Sequence, residues 1–213
     1  MTTDGAYEEI EKGKEGNEKF ADEMVRFSPK QVTLKPGETQ TVRLMLKKSD
    51  NAKNGEYRSH LLFREEAPAE FGTNVENKGK NDKKISVVLK PLFGISIPVL
   101  VKNGQVTANA AIKNLVLKTD DKNNDVLAVE LSRNGNGSTY GNVTVTLSPK
   151  NSDKKYDIGT VNNVAIFYPN DSRKINVPLT LPKNVKLEDG LINVVYQSPQ
   201  LLAQKTMTLE NQN

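Results

Sequence analysis

Few residues in this chain have the type and spacing that chemistry needs. His60 is the single histidine and cysteine is absent. The lack of cysteine removes thiolate nucleophiles, disulfides and zinc–thiolate sites together, and one histidine rules out a multi-histidine metal centre. Ser59 stands beside His60. A nucleophile and base also need an orienting acid, and no Gly-x-Ser-x-Gly elbow occurs. Asp120-Asp-Lys-Asn-Asn-Asp125 offers calcium-type oxygen ligands, yet the mid-loop glycine and the closing bidentate glutamate are missing, so it reads as a polar loop. Asn134-Gly-Asn-Gly137 is glycine-rich, but no Lys-[Ser/Thr] follows and no strand-to-helix context surrounds it; it reads as a hairpin turn rather than a phosphate cradle. Lys78, Lys80, Lys83 and Lys84 could meet an anion, but read as a solvated loop. Glu56–Arg58 and Arg64–Glu65 read as surface ion pairs of little energetic weight. The expectation is no catalytic residue, no metal and no cofactor: the chain is not read as an enzyme.

The elements that would position such residues are strands. The chain has 213 residues, 36% hydrophobic and 26% charged, which allows one or two domains and falls short of wholesale disorder. Residues 1–26 carry eight acids against four bases; with a net charge of +4 overall, this −4 leaves +8 for the remainder. The charges are interspersed, as on a solvated surface, and no nucleic-acid partner is expected. The longest uncharged apolar stretch, Pro91–Val101, is too short to span a bilayer, so no direct membrane insertion is expected either. Glycines at 5, 13 and 16 break up the acidic start, leaving room for a short helix around Glu18–Met24. Lys35-Pro-Gly-Glu38 signals a turn, and Thr41–Lys47 alternates as a half-buried strand with Val42, Leu44 and Leu46 on one face. Tyr57–Arg64 is strand-like. Glu65–Lys84 forms a long polar connection, followed by the most apolar segment, Ile85–Val101. Ile85, Val87 and Leu89 share one face there, and Ile95, Ile97, Val99 and Val101 resume the alternation after Pro91 and Gly94.

Beyond Gly104, seven strand candidates follow at intervals of about a dozen residues: Ile112–Leu117, Val126–Arg133, Val143–Leu147, Val161–Tyr168, Arg173–Leu181, Leu191–Tyr196 and Lys205–Leu209. That spacing predicts an immunoglobulin-type β-sandwich without the Cys…Trp…Cys core. The expected architecture is all-β, with an incomplete first sandwich over 1–104 and a complete one over 105–213.

Arg26-Phe-Ser-Pro-Lys-Gln-Val-Thr-Leu-Lys-Pro-Gly-Glu-Thr-Gln-Thr-Val-Arg-Leu44 resembles the strand–turn–strand of PapD-like periplasmic pilus chaperones. So does Asn54-Gly-Glu-Tyr-Arg-Ser-His-Leu-Leu-Phe-Arg-Glu65 with its long following loop and the alternation over Ile85–Leu89; Arg133–Gly141 resembles the body of the family's second domain. The resemblance covers roughly residues 20–209. It implies two immunoglobulin-like domains, a periplasmic location, pilus or fimbrial subunits as partners, and an outer-membrane usher downstream. It also implies a mechanism: a strand is lent to a subunit that lacks its own last strand, with main-chain bonds giving affinity and alternate side chains filling pockets. The donor residues would be Ile85, Val87 and Leu89. Glu56 would match a glutamate of the family's structural ion network, whose arginine aligns here near Pro98. The family's lysine anchor for the subunit carboxylate aligns with Gly94 or Ile95. The resemblance also places Met1 beyond the family's secretory signal and about its first three strands, hence the expectation of an incomplete first domain. The competing expectation is an adhesive or carbohydrate-binding β-sandwich module; with no tryptophan and 12 aromatics (six Tyr, six Phe), an aromatic platform is disfavoured.

Overall fold

The computed structural model describes residues 2–6, 8, 16–47, 52–66, 91–150 and 152–209. Ile85, Val87, Leu89 and the Lys78–Lys84 run lie outside the described residues. Among those described the chain is all-β, with several antiparallel sheets. It divides into two units. The larger holds the described parts of Met1–Lys19, Lys48–Tyr57 and Val101–Asn213; the smaller holds those of Phe20–Lys47 and Arg58–Leu100.

In the larger unit the expected strand rhythm is realised as β5 (Ala108–Thr119), β6 (Asp125–Gly135), β7 (Thr139–Pro149), β8 (Tyr156–Ile166), β9 (Ser172–Pro178), β10 (Gly190–Ser198) and β11 (Leu201–Leu209). One sheet has the order β5-β6-β9, the other β11-β10-β7-β8. Two-residue periodicity explains why they share one core. Leu127, Val129 and Leu131 of β6, Val143, Val145 and Leu147 of β7, and Ile192, Val194 and Tyr196 of β10 all point inward and are buried. Each such side chain contributes roughly 1.5–3 kcal/mol by leaving water. The buried tyrosine keeps its polar atom satisfied, because the Tyr196 hydroxyl donates to the Val164 carbonyl at 3.1 Å. At the margins the Lys205 ammonium donates to the Lys113 carbonyl (2.5 Å) and Thr180 N–H to the Ile158 carbonyl (2.7 Å), linking the two sheets. This arrangement is consistent with a β-sandwich.

One turn is corrected. Asn134–Gly137 does not close a hairpin, because β6 and β7 lie in different sheets and the segment carries the chain from one to the other. Asn136 pins the crossing: its side chain accepts from Thr107 N–H (2.7 Å) and donates to the Gln105 carbonyl (2.9 Å). Gly135 sits at φ +100°, and a Cβ there would overlap the Thr107 carbonyl, so glycine is required.

The smaller unit differs in kind. It contains β1 (Val25–Ser28) and β2 (Arg43–Leu46), which pair antiparallel, and the outer parts of β3 (Gly55–Arg64) and β4 (Gly94–Asn103), which pair with each other. The helix expected around Glu18–Met24 is absent; Asp22–Met24 is a turn, closed by Met24 N–H to the Ala21 carbonyl (3.0 Å), and it leads straight into β1. The half-buried face expected for Thr41–Lys47 is also corrected. All four residues of β2 are exposed, since β1 is its sole sheet partner and no second layer covers it among the described residues.

Candidate functional site

Two features stand out once the strands are placed, one polar and one apolar. The polar feature belongs to the larger unit and is built at the exit of β6. The alternation Leu127, Val129, Leu131 carries on to Arg133, so parity alone aims a guanidinium at the core side. Arg133 is 6% exposed. Its Nε–H donates to the Asn170 carbonyl (2.7 Å), Nη1 to the carbonyls of Gly135 and Gly137 (2.9 Å each), and Nη2 to the Pro169 carbonyl (3.3 Å). The guanidinium carbon lies 5.4 Å from the centre of the Tyr168 ring. Burial pushes the guanidinium below its ordinary pKa, and the negative charges of Glu56 and Asp171 push it back up.

Glu56 opens this cluster to a second strand. It is 3% exposed, so the expectation of a surface carboxylate paired with Arg58 is corrected. One carboxylate oxygen accepts the Ser138 N–H (2.9 Å), and the other accepts the Ser138 hydroxyl. The Ser138 oxygen in turn accepts the Tyr168 N–H at 2.9 Å. The arrangement is a clamp: Glu56 and Arg133 hold the backbone of 135–138 and 168–170 from two sides. Their polar atoms are engaged in that task, which suits fixing a sheet crossing rather than activating a substrate. Sequence reasoning missed Arg133. The overlooked signal was a cation on the apolar parity of β6.

The apolar feature belongs to the smaller unit. Phe93 is 75% exposed, Ile95 69%, Leu46 65%, Met45 61% and Leu62 59%. Large apolar side chains exposed to this extent are candidates for an interaction site. The backbone is already extended here: Glu65 N–H donates to the Phe93 carbonyl at 3.0 Å beside the start of β4. Of the two residues expected to interrupt the alternation, Pro91 precedes that strand and Gly94 is its first residue. The segment with Ile85, Val87 and Leu89 precedes them in sequence and lies outside the described residues.

The remaining candidates have plain roles. Asp120 accepts from the N–H groups of Lys122 and Asn124 (2.8 Å each) and from the Asn124 amide, so its carboxylate closes its own loop. Those hydrogen bonds, chiefly to Asn124, lower its pKa. Ser59 accepts the Ala21 N–H at 2.9 Å through its hydroxyl oxygen. Desolvation lowers the pKa of His60 from its ordinary 6.5, with Arg58 adding to the shift. The folded state therefore favours neutral His60. Its contribution to stability is present above pH 6.5 and is lost as the pH falls below that value. A proton NMR titration of the His60 ring should give a midpoint below 6.5 in the folded protein and near 6.5 in urea.

In comparison with known proteins, no family model and no curated protein matches this sequence.

Proposed function

We propose that this chain is a non-enzymatic chaperone that holds pilus or fimbrial subunits by lending them a strand, acts in the periplasm, and passes its cargo to an outer-membrane usher. In this reading residues 1–104 and 105–213 form two immunoglobulin-like domains. The observation that carries the reading is the exposed apolar side chains of β2, β3 and β4, joined to the resemblance of Arg26–Leu44 and Asn54–Glu65 to PapD-like chaperones. A sheet left this bare is a liability unless another chain covers it. The donor side chains would be Ile85, Val87 and Leu89. Seating each in a subunit groove is worth roughly 1.5–3 kcal/mol, partly offset by the cost of association and of ordering the strand.

The test is capture of a pilus subunit whose own groove is open, by the intact chain and by Leu89→Asp. The substitution should abolish capture and leave the melting of the larger unit unchanged. Undiminished capture would remove the donor-strand assignment. Retention of the chain on immobilised glycan, with no subunit capture, would favour the adhesive or carbohydrate-binding reading instead.

A further inference from the structure

Asn-Gly steps occur in this chain at 54–55, 103–104, 134–135 and 136–137. Such a step can modify itself. The glycine nitrogen attacks the asparagine carboxamide, because a residue without Cβ leaves that nitrogen unhindered and its backbone free to turn. The larger unit holds these steps in different ways, and the difference carries an inference independent of the chaperone reading.

Three of them are restrained. The Asn136 carboxamide accepts from Thr107 N–H (2.7 Å) and donates to the Gln105 carbonyl (2.9 Å). The nitrogen that would attack it, Gly137 N–H, donates to the Thr107 carbonyl at 3.0 Å. The Asn103 carboxamide nitrogen donates to the carbonyls of Ala52 (2.8 Å) and Lys53 (3.3 Å). Asn134 and Gly135 lie opposite Asn109 and Ala108 in the β5–β6 pairing, and that ladder keeps their backbone extended.

Asn54 is the exception. It is exposed at a bend immediately before β3, and its carboxamide makes no hydrogen bond to another described residue. The carbonyl of the Asn54–Gly55 peptide accepts from the Lys19 ammonium at 2.8 Å. Lys19 Nζ lies 5.5 Å from the centre of the Tyr57 ring, whose hydroxyl donates to the Lys53 carbonyl (3.0 Å). The same Nζ is so near Gly55 that a Cβ there would come within 2.6 Å of it. A peptide nitrogen must shed its proton to attack, and the charge it gains is shared with the carbonyl oxygen of its own peptide. A cation held on that oxygen favours the ionised form.

We propose that Asn54 is a self-modifying site, converted by water to isoaspartate with loss of ammonia, and that the product loosens the Glu56 end of the clamp. Hydroxide takes the Gly55 N–H proton, and the nitrogen bonds to Asn54 Cγ. The Cγ–Nδ2 bond breaks, the leaving nitrogen takes a proton from water and departs as ammonia, and a succinimide ring is left. Water then opens the ring at either carbonyl. Opening at Cγ gives aspartate on an unchanged backbone. Opening at the main-chain carbonyl gives isoaspartate, whose backbone runs through Cβ and is longer by that carbon. The extra length falls just ahead of Glu56, whose N–H donates to the Asn136 carbonyl (3.3 Å) and whose carboxylate accepts from Ser138.

Peptide mapping by mass spectrometry, on the intact chain aged in mildly alkaline buffer with and without urea, tests the site. Asn54 should react in the folded chain at least as fast as in urea, whereas Asn103, Asn134 and Asn136 should slow roughly tenfold or more on folding. Lys19→Met should slow Asn54 roughly fivefold in the folded chain and leave its rate in urea unchanged, and Lys19→Arg should restore it. Amide exchange at Ser138 should quicken in the isoaspartate fraction but not in Asn54→Asp, which carries the new charge on the original backbone. Slower reaction of Asn54 in the folded chain than in urea, indifference to Lys19→Met, or Ser138 exchange equal in the isoaspartate fraction and the unmodified chain would each overturn the proposal.

Discussion

Arg133→Met should lower the unfolding temperature of the larger unit by on the order of 10 °C. The guanidinium bonds the carbonyls of Gly135, Gly137, Pro169 and Asn170, and methionine replaces none of those donors. Charge-assisted bonds of this type are worth about 1.5–3 kcal/mol each, and acceptors left buried without a donor add their desolvation cost. The carboxylate of Glu56 would also lose its nearby positive charge. Breaking a buried charged arrangement by removing one partner costs about 3–5 kcal/mol. Methionine is chosen because its length preserves packing, so the loss reports on charge and hydrogen bonding rather than on a cavity. Calorimetry of the two proteins at one pH gives the comparison. A shift of less than about 2 °C would mean that water replaces the guanidinium without loss and that the clamp is not structural.

Glu56→Ala should cost about 3 kcal/mol. It strips acceptors from both the N–H and the hydroxyl of Ser138, at a position where the carboxylate is almost fully covered. The two losses should not add. Once Arg133 is gone, removing Glu56 relieves an uncompensated negative charge, so the double variant should be more stable than the sum of the singles by at least about 1 kcal/mol. Urea unfolding of the four proteins closes the cycle. Strict additivity would show that Glu56 and Arg133 serve the sheet crossing independently.

Strand identity in the larger unit was legible because each strand carries its own period. Val143-x-Val145-x-Leu147 has one buried face wherever its partner lies, and all seven expected strands are present, although β8 starts at Tyr156 and stops at Ile166 rather than spanning Val161–Tyr168, and β9 stops at Pro178 rather than Leu181. Pairing was not legible. Asn134–Gly137 has the composition of a hairpin turn, but whether the strands on either side pair depends on which sheet each joins, and no local residue encodes that. The burial of Thr41–Lys47 failed for a related reason: alternation announces a face able to be covered, and covering it takes a second layer supplied from elsewhere. The expected helix near Glu18–Met24 gave way to a turn because its residues feed β1, a strand whose four positions were too few to show a period.

The site divides along the same line. Composition by itself excluded thiolate chemistry and multi-histidine metal centres, because those require residue types the chain lacks. Parity along β6 already aimed Arg133 at the core side, since alternation is a property of extended backbone. What only the tertiary structure decided is what meets that guanidinium. The carbonyls are those of Gly135, Gly137, Pro169 and Asn170, and the carboxylate is that of Glu56, far off in sequence. Desolvation and hydrogen bonding act between neighbours in space, so the same glutamate reads as a surface ion in the sequence and as a buried acceptor in the fold.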